Sequence, residues 1–302
     1  MILVLYNGVL LCQTSIDSLV SHCHQLSRQT DNPFLKEHFN TIAFFAEDTT
    51  HGFVPNPDDQ NEASLVLKFL KENGSEWKTY LEEPRPLMKS FKSKKDGKMT
   101  YYWVILPKDF SIDKSYPLYL ELHGSGGGSN DNPRNMLFRP LQPELQGVTS
   151  QGYRKDALFV YPWGRGDKRY QDTAEVDIFE VIENFDEDFQ SDPARQYLYG
   201  FSMGGAGTFH IASLSPERWT AIAAYSAAFW PEPDSNELKK LIHLPVWMVW
   251  GEEEKWATGD KIARDFFISH DMNISWEEIQ GVGHKYLGEY QEKMLDWLKS
   301  YR

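Results

Sequence analysis

Beyond residue 90, short apolar runs alternate with stretches in which apolar residues recur every three or four positions. A short run bounded by turn-forming residues is typical of a buried strand, and the longer spacing is typical of an amphipathic helix. Strands that alternate with helices predict a doubly wound, mostly parallel α/β sheet. The predicted strands are 117–123, 157–162, 196–199, 221–226, 245–251 and 274–279, and the predicted helices are 175–189, 203–212, 261–270 and 289–301.

An antiparallel hairpin is predicted to open this sheet. The apolar and aromatic runs 90–92 and 99–106 flank a charged segment that contains Asp96-Gly97. An Asp-Gly pair between two such runs is a strong hairpin signal, because both residues tolerate the backbone angles of a tight turn.

The residues before the hairpin show an irregular helical pattern. Apolar positions cluster between Glu62 and Leu70, Asn73-Gly74 resembles a helix stop, and residues 56–59 (Asn-Pro-Asp-Asp) predict a turn. We therefore predict a helical N-terminal appendage over residues 1–86, with the two prolines of 82–86 forming a hinge into a main domain over 87–302.

The first twelve residues form an apolar run around Asn7-Gly8, as long as the core of a signal peptide. A positively charged start and a small-x-small cleavage site are missing from the sequence. We interpret the run as a weak or truncated export signal in preference to a buried first element. This interpretation favours a secreted or periplasmic location over a cytoplasmic one.

Composition excludes several classes of protein. The 302 residues carry 31 Lys+Arg against 44 Asp+Glu, and the net charge of −13 argues against a nucleic-acid partner. No apolar run reaches the length of a membrane span. Cys12 and Cys23 do not indicate a disulfide framework, and the adjacent residues His22-Cys23-His24 could not converge on one metal ion from a regular helix. Nothing in the pattern indicates an oligomeric state.

The pentapeptide Gly200-Phe201-Ser202-Met203-Gly204 lies between a predicted strand and a predicted helix. It matches G-x-S-x-G, in which a serine with positive φ exposes its hydroxyl on a sharp strand-to-helix turn. Glycines two residues either side relieve the backbone crowding of that turn. Ser202 is therefore the candidate nucleophile; the alternative is a glycine-rich turn between two core elements.

A serine nucleophile needs a base within hydrogen-bonding reach, and the base needs an orienting acid. His284 lies in a glycine-rich loop after the last predicted strand and is the candidate base. Glu252, Glu253 and Glu254 follow the strand that ends at Gly251. We favour Glu254, three residues past that glycine, where the chain has turned toward the site. Glu252, Glu253 and Asp260 remain alternatives.

A second glycine-rich segment, His123-Gly124-Ser125-Gly126-Gly127-Gly128, follows the strand predicted at 117–123. Glycines allow backbone N–H groups to approach a developing oxyanion closely, as in the oxyanion loop of lipases and esterases. The predicted oxyanion donors are the amide of Met203 and an amide at Gly124 or Ser125. A phosphate-binding loop is disfavoured, because no Gly-Lys-Ser/Thr follows.

Two loops rich in aromatic residues and proline follow predicted strands. Trp163 lies in one, and Phe229 and Trp230 lie in the other. Aromatic side chains at strand ends suit sugar or aryl-ester substrates, so these three residues are candidate substrate-facing positions. Ordinary packing of covering loops is an equally good interpretation.

Four motifs together resemble the α/β-hydrolase superfamily: residues 123–127 (His-Gly-Ser-Gly-Gly), 192–195 (Asp-Pro-Ala-Arg), 200–205 (Gly-Phe-Ser-Met-Gly-Gly) and 283–284 (Gly-His). Within it they are most similar to the esterase D, feruloyl esterase and polyhydroxybutyrate-depolymerase-like group, and to stand-alone prolyl-oligopeptidase catalytic domains. The resemblance covers residues 90–302. In two respects the sequence departs from the family: the acid would be Glu rather than Asp, and the helical N-terminal segment has no counterpart.

The resemblance implies an α/β-hydrolase catalytic domain over 87–302, without metal or organic cofactor. It implies hydrolysis of a carboxylic ester through an acyl-enzyme, and the expected substrate is a carbohydrate-linked acetyl or feruloyl ester or a short-chain ester. A prolyl-oligopeptidase-like serine peptidase is the alternative. A non-catalytic binding protein on a hydrolase scaffold is a further alternative.

Overall fold

The computed structural model describes residues 2–73, 86–125, 132–137 and 156–302. The helices in these ranges are α1 (Ile2–Gln29), α2 (Pro33–Glu47), α3 (Pro57–Asn73), α4 (Arg134–Leu137), α5 (Thr173–Asp188), α6 (Met203–Leu214), α7 (Ser235–Lys240), α8 (Ala257–Ser269) and α9 (Gly288–Lys299). The strands are β1 (Pro86–Lys92), β2 (Met99–Ile105), β3 (Tyr116–Leu122), β4 (Leu158–Pro162), β5 (Ser191–Phe201), β6 (Ala221–Tyr225), β7 (Val246–Gly251) and β8 (Ile274–Ile279). Within the same ranges, no helix is long and apolar enough to cross a membrane.

The eight strands form one sheet in the order β1-β2-β4-β3-β5-β6-β7-β8. β2 runs antiparallel to both of its neighbours, β1 and β4, and all other neighbouring pairs are parallel. The predicted doubly wound sheet with an opening hairpin is thereby confirmed. The hairpin turn forms as expected, because Gly97 adopts φ +73° and donates its N–H to Ser93 O at 2.9 Å.

Some predicted boundaries were wrong. The turn expected at residues 56–59 instead opens α3, because the side-chain oxygen of Asn56 accepts the N–H groups of Asp58 and Asp59 and so caps the helix. β5 begins at Ser191, well before the start predicted at 196, and Ser191 pairs with Tyr116 of β3.

Helix α2 packs against the edge strand β1. The backbone N–H of Met88 donates to Nδ1 of His38 at 2.9 Å, and Lys89 Nζ lies 2.7 Å from Glu37 and 2.6 Å from Asp188. His38 is fully buried, and this burial lowers its pKa to about 3, so the ring is neutral and can accept. The domain division at residue 86 stays a prediction, and residues 82–85 of the expected hinge lie outside the described residues.

Buried Arg134 links α4 to the N-terminal helices. Its guanidinium donates to Ala46 O at 3.0 Å and to Asp48 O, at the carboxyl end of α2. The last carbonyls of a helix lack partners within the helix, so Arg134 supplies donors that α2 would otherwise miss. A continuous cluster of buried apolar residues extends from Ile16 in α1 to Met272, before β8.

Candidate active site

Ser202 occupies a strained turn between β5 and α6, with φ +59°. The turn requires glycine on both sides. A Cβ on Gly200 would lie 2.4 Å from the carbonyl of Gly204, and a Cβ on Gly204 would lie 1.8 Å from Leu122 O. Both distances are far below a van der Waals contact, so the backbones of β3, β5 and α6 meet directly beneath the serine.

His284, in the loop between β8 and α9, reaches the serine. Its Nε2 lies 2.8 Å from Ser202 Oγ. The imidazole stacks on Phe201 at a centroid distance of 5.0 Å, and Trp256 meets it edge-on at 5.0 Å. These two rings limit the rotation of the histidine, and the 2.8 Å separation is within the range required of a general base.

Glu254 lies behind the histidine. Its Oε2 is 3.2 Å from His284 Nδ1, while Oε1 accepts the N–H of Gly251 at 2.8 Å and the hydroxyl of Ser226. The carboxylate is completely buried. Burying a carboxylate is costly unless it is hydrogen-bonded, and here the donors surround it on both oxygens.

The other candidate acids lie elsewhere. Glu253 is exposed, and Glu252 accepts the N–H of Gly281 at 3.1 Å. Asp260 is fully buried and accepts the N–H of Ala227 at 3.2 Å. Burial raises the pKa of Asp260 well above its usual range, and the charge of Glu254 adds to this effect, so the site favours the protonated carboxyl.

The predicted oxyanion residues lie next to the serine. A Cβ on Gly124 would be 3.2 Å from Ser202 Cβ, and Ser125 lines the cavity above Ser202. Met203 opens α6, where backbone N–H groups have no partner within the helix. Gly126, Gly127 and Gly128 lie outside the described residues.

A cavity of about 860 Å³ opens over Ser202 and His284. Two of the three candidate substrate-facing residues, Phe229 and Trp230, line it, and Trp230 is 65% exposed. The structure puts the third, Trp163, elsewhere: its side chain is 1% exposed and stacks on Tyr101 at 5.5 Å. The aromatic lining residues are Phe201, Phe209, Phe229, Trp230 and Trp256.

Sequence reasoning missed several residues around the site. Ser226, directly after β6, donates its hydroxyl to Glu254. Arg169 donates to Trp230 O at 2.9 Å and so ties two loops of the cavity together. His210 lies between Glu237 at 2.7 Å and Glu175 at 2.8 Å. These residues meet only through tertiary packing, and no local motif marks them.

The hydrogen bond that His210 makes to Glu237 is the main cause of its raised pKa, and a second hydrogen bond to Glu175 adds to the effect. Raising the pKa favours the imidazolium, which donates to both carboxylates. His210 thus connects α5, α6 and α7 along one wall of the cavity.

A family model described as "Putative esterase" matches residues 94–271, more than half of the chain. The chain belongs to this esterase family. The matched residues include Ser202 and Glu254 but end before His284.

Individual proteins that resemble this chain share low sequence identity with it. The chain is 26% identical to the probable feruloyl esterase C of Aspergillus terreus over 132 residues, which are 41% of this chain and 45% of that protein. The match therefore spans less than half of the curated relative. A thermostable esterase superposes with a TM-score of 0.57 at 19% identity, covering 72% of this chain and 63% of that chain.

A ferulic acid esterase from Anaeromyces mucronatus, solved in complex with ferulic acid, superposes with a TM-score of 0.54 at 15% identity. The superposition covers 73% of this chain and 91% of that chain. At such identities, the structural likeness establishes the α/β-hydrolase fold.

Proposed function

We propose that the protein is a serine hydrolase that cleaves carboxylic esters through an acyl-enzyme. Ser202 is the nucleophile, His284 the general base and Glu254 the acid that orients the histidine. The observation that carries this proposal is the 2.8 Å separation of Ser202 Oγ and His284 Nε2 at a cavity, with Glu254 3.2 Å from Nδ1. Membership of the esterase family supports it.

In the proposed reaction, His284 takes the proton of Ser202 as Oγ attacks the ester carbonyl. The backbone amides of Met203 and of Gly124 or Ser125 bind the oxyanion. The protonated imidazole then gives its proton to the leaving alcohol, and water releases the acyl group by the same steps. Glu254 stabilises the imidazolium and holds its tautomer. These site residues all lie between 123 and 284, so we assign catalysis to the domain proposed over 87–302.

The aromatic lining supports an aryl or carbohydrate-linked ester as the substrate. Phe209, Phe229 and Trp230 offer flat apolar surfaces beside Ser202, and 860 Å³ is ample for a drug-sized ligand. The feruloyl esterase named among the relatives is consistent with this choice. We therefore propose acetyl or feruloyl esters of carbohydrates as the preferred substrates. Short-chain esters are the second candidate.

Replacing Ser202 by Ala tests the proposal, with hydrolysis of p-nitrophenyl acetate and labelling by a fluorophosphonate probe as readouts. Wild-type protein is expected to do both. The Ser202→Ala variant should do neither while keeping its melting temperature, and Ser300→Ala on the surface should behave like wild type. A wild-type protein that neither turns over esters nor labels would instead be a binding protein. A panel of methyl ferulate, acetylated sugar and a proline amide then separates esterase from peptidase.

A further inference from the structure

Tyr170 is a buried residue of the loop between β4 and α5, with φ +57°. Its ring lies between two glycines. A Cβ on Gly164 would be 2.6 Å from Tyr170 Cε1, and a Cβ on Gly207 of α6 would be 2.4 Å from Cδ2. Only glycine at both positions leaves room for the ring, which is therefore held in one place from two sides.

The hydroxyl of Tyr170 donates to the carbonyl oxygen of His123 at 2.8 Å. Burial raises the pKa of Tyr170 well above its usual range, so the hydroxyl keeps the proton that it donates. The contact ties the Tyr170 loop to the end of β3, where the predicted oxyanion loop begins.

The His123 carbonyl and the Gly124 N–H belong to the same peptide group. A trans peptide is rigid and planar, and its C=O and N–H point in opposite directions. Fixing the carbonyl toward Tyr170 therefore fixes the Gly124 N–H toward the other side. Gly124 is also close to the nucleophile, since its Cβ would lie 3.2 Å from Ser202 Cβ.

We propose that Tyr170 is a positioning residue that orients the Gly124 N–H as an oxyanion donor. The inference rests on the proposed function, and it selects Gly124 over Ser125 as the second donor beside Met203. An oxyanion donor acts mainly on the transition state, where the negative charge develops. Loss of the orientation should therefore lower kcat and leave KM nearly unchanged.

The test is Tyr170→Phe, which removes the hydroxyl and keeps the ring between the two glycines. Tyr197→Phe is the matched control, because Tyr197 is equally buried and donates to a backbone carbonyl, Tyr301 O at 2.7 Å, away from the site. For both variants and wild type, kcat and KM are measured with p-nitrophenyl acetate. The second-order rate of fluorophosphonate labelling at Ser202 is measured in parallel, since it also requires an oxyanion site but no ester turnover.

Tyr170→Phe is expected to lower kcat by at least about tenfold. The decrease should be smaller than the factor of about 10²–10³ that follows complete removal of an oxyanion donor. KM should change by less than about twofold, and the labelling rate should fall together with kcat. Tyr197→Phe should match wild type in all three quantities.

Equal kcat and labelling rates in wild type and Tyr170→Phe would overturn the inference and favour Ser125 as the donor. Equal losses in both variants would also overturn it, because a general loss of packing would then explain the effect. If wild type labels but hydrolyses no ester, the labelling rates alone decide. If it does neither, the proposed function fails, and the inference with it.

Discussion

The charge of Glu254 can be tested separately from its shape by the substitution Glu254→Gln. In the proposed transition state the imidazolium of His284 forms 3.2 Å from the carboxylate oxygen. At an effective dielectric constant of about 20, two unit charges at that distance attract by about 5 kcal/mol. Removing that attraction corresponds to a loss of between three and four orders of magnitude in rate.

The hydrogen bonds around Glu254 give a second reason to expect a large decrease in kcat for Glu254→Gln. A glutamine can still accept from Gly251 N–H and Ser226 through its amide oxygen, which leaves its NH₂ group facing His284 Nδ1. A donor at that place favours the tautomer with the proton on Nε2, and this tautomer cannot accept the proton of Ser202. We expect kcat to fall by at least about 10³-fold, with the fold retained.

The assay is kcat for p-nitrophenyl acetate, with circular dichroism as a check on folding. Glu253→Gln is the matched control, since that side chain is a neighbouring exposed glutamate. It should keep kcat within about twofold of wild type. A Glu254→Gln variant within tenfold of wild type, or a larger loss in Glu253→Gln, would refute the assignment of the acid.

Two further predictions concern stability and pH. Asp260→Asn should leave kcat unchanged and raise the free energy of unfolding, because it removes a carboxyl whose pKa burial raises. The gain in stability should grow as pH rises above 3.8, and urea titrations that show no such growth would contradict the raised pKa. Below about pH 6.5 the unfolded chain binds a proton at His38, whereas the folded protein does not, because its His38 pKa is about 3. Wild type should therefore lose stability as the pH falls, and His38→Asn should remove that loss. The loss approaches about 1.4 kcal/mol for each pH unit below pH 6.5. The prediction is wrong if the free energy of unfolding falls with pH equally in wild type and His38→Asn.

The strands and the turn that carries Ser202 were readable from sequence because both depend on local pattern. The apolar run 245–251 predicts β7 nearly to the residue, since a strand buried on both faces has little other composition available. Ser202 was identifiable because its turn admits only glycine at positions 200 and 204. In both cases the physical constraint acts within a few residues of the chain.

Features that depend on distant segments could not be predicted. Trp163 follows a strand as a substrate-facing residue would, but Tyr101 of another strand covers it. Tyr170 reaches the His123 carbonyl only because Gly207, 37 positions further along the sequence, leaves room for its ring. The turn after Gly251 favours Glu254 among the four acids, but the contact that distinguishes it, with His284, depends on a loop 30 residues further along.

The contact of Gly204 with Leu122 O also limits how the enzyme can be changed by directed evolution. A randomised library over the pentapeptide can vary Phe201 and Met203, whereas any side chain at 200 or 204 would push the serine turn away from the end of β3. Variation in substrate preference has to come from the cavity wall instead. Phe229 and Trp230 are the practical positions, since they face the cavity and lie outside the backbone contact.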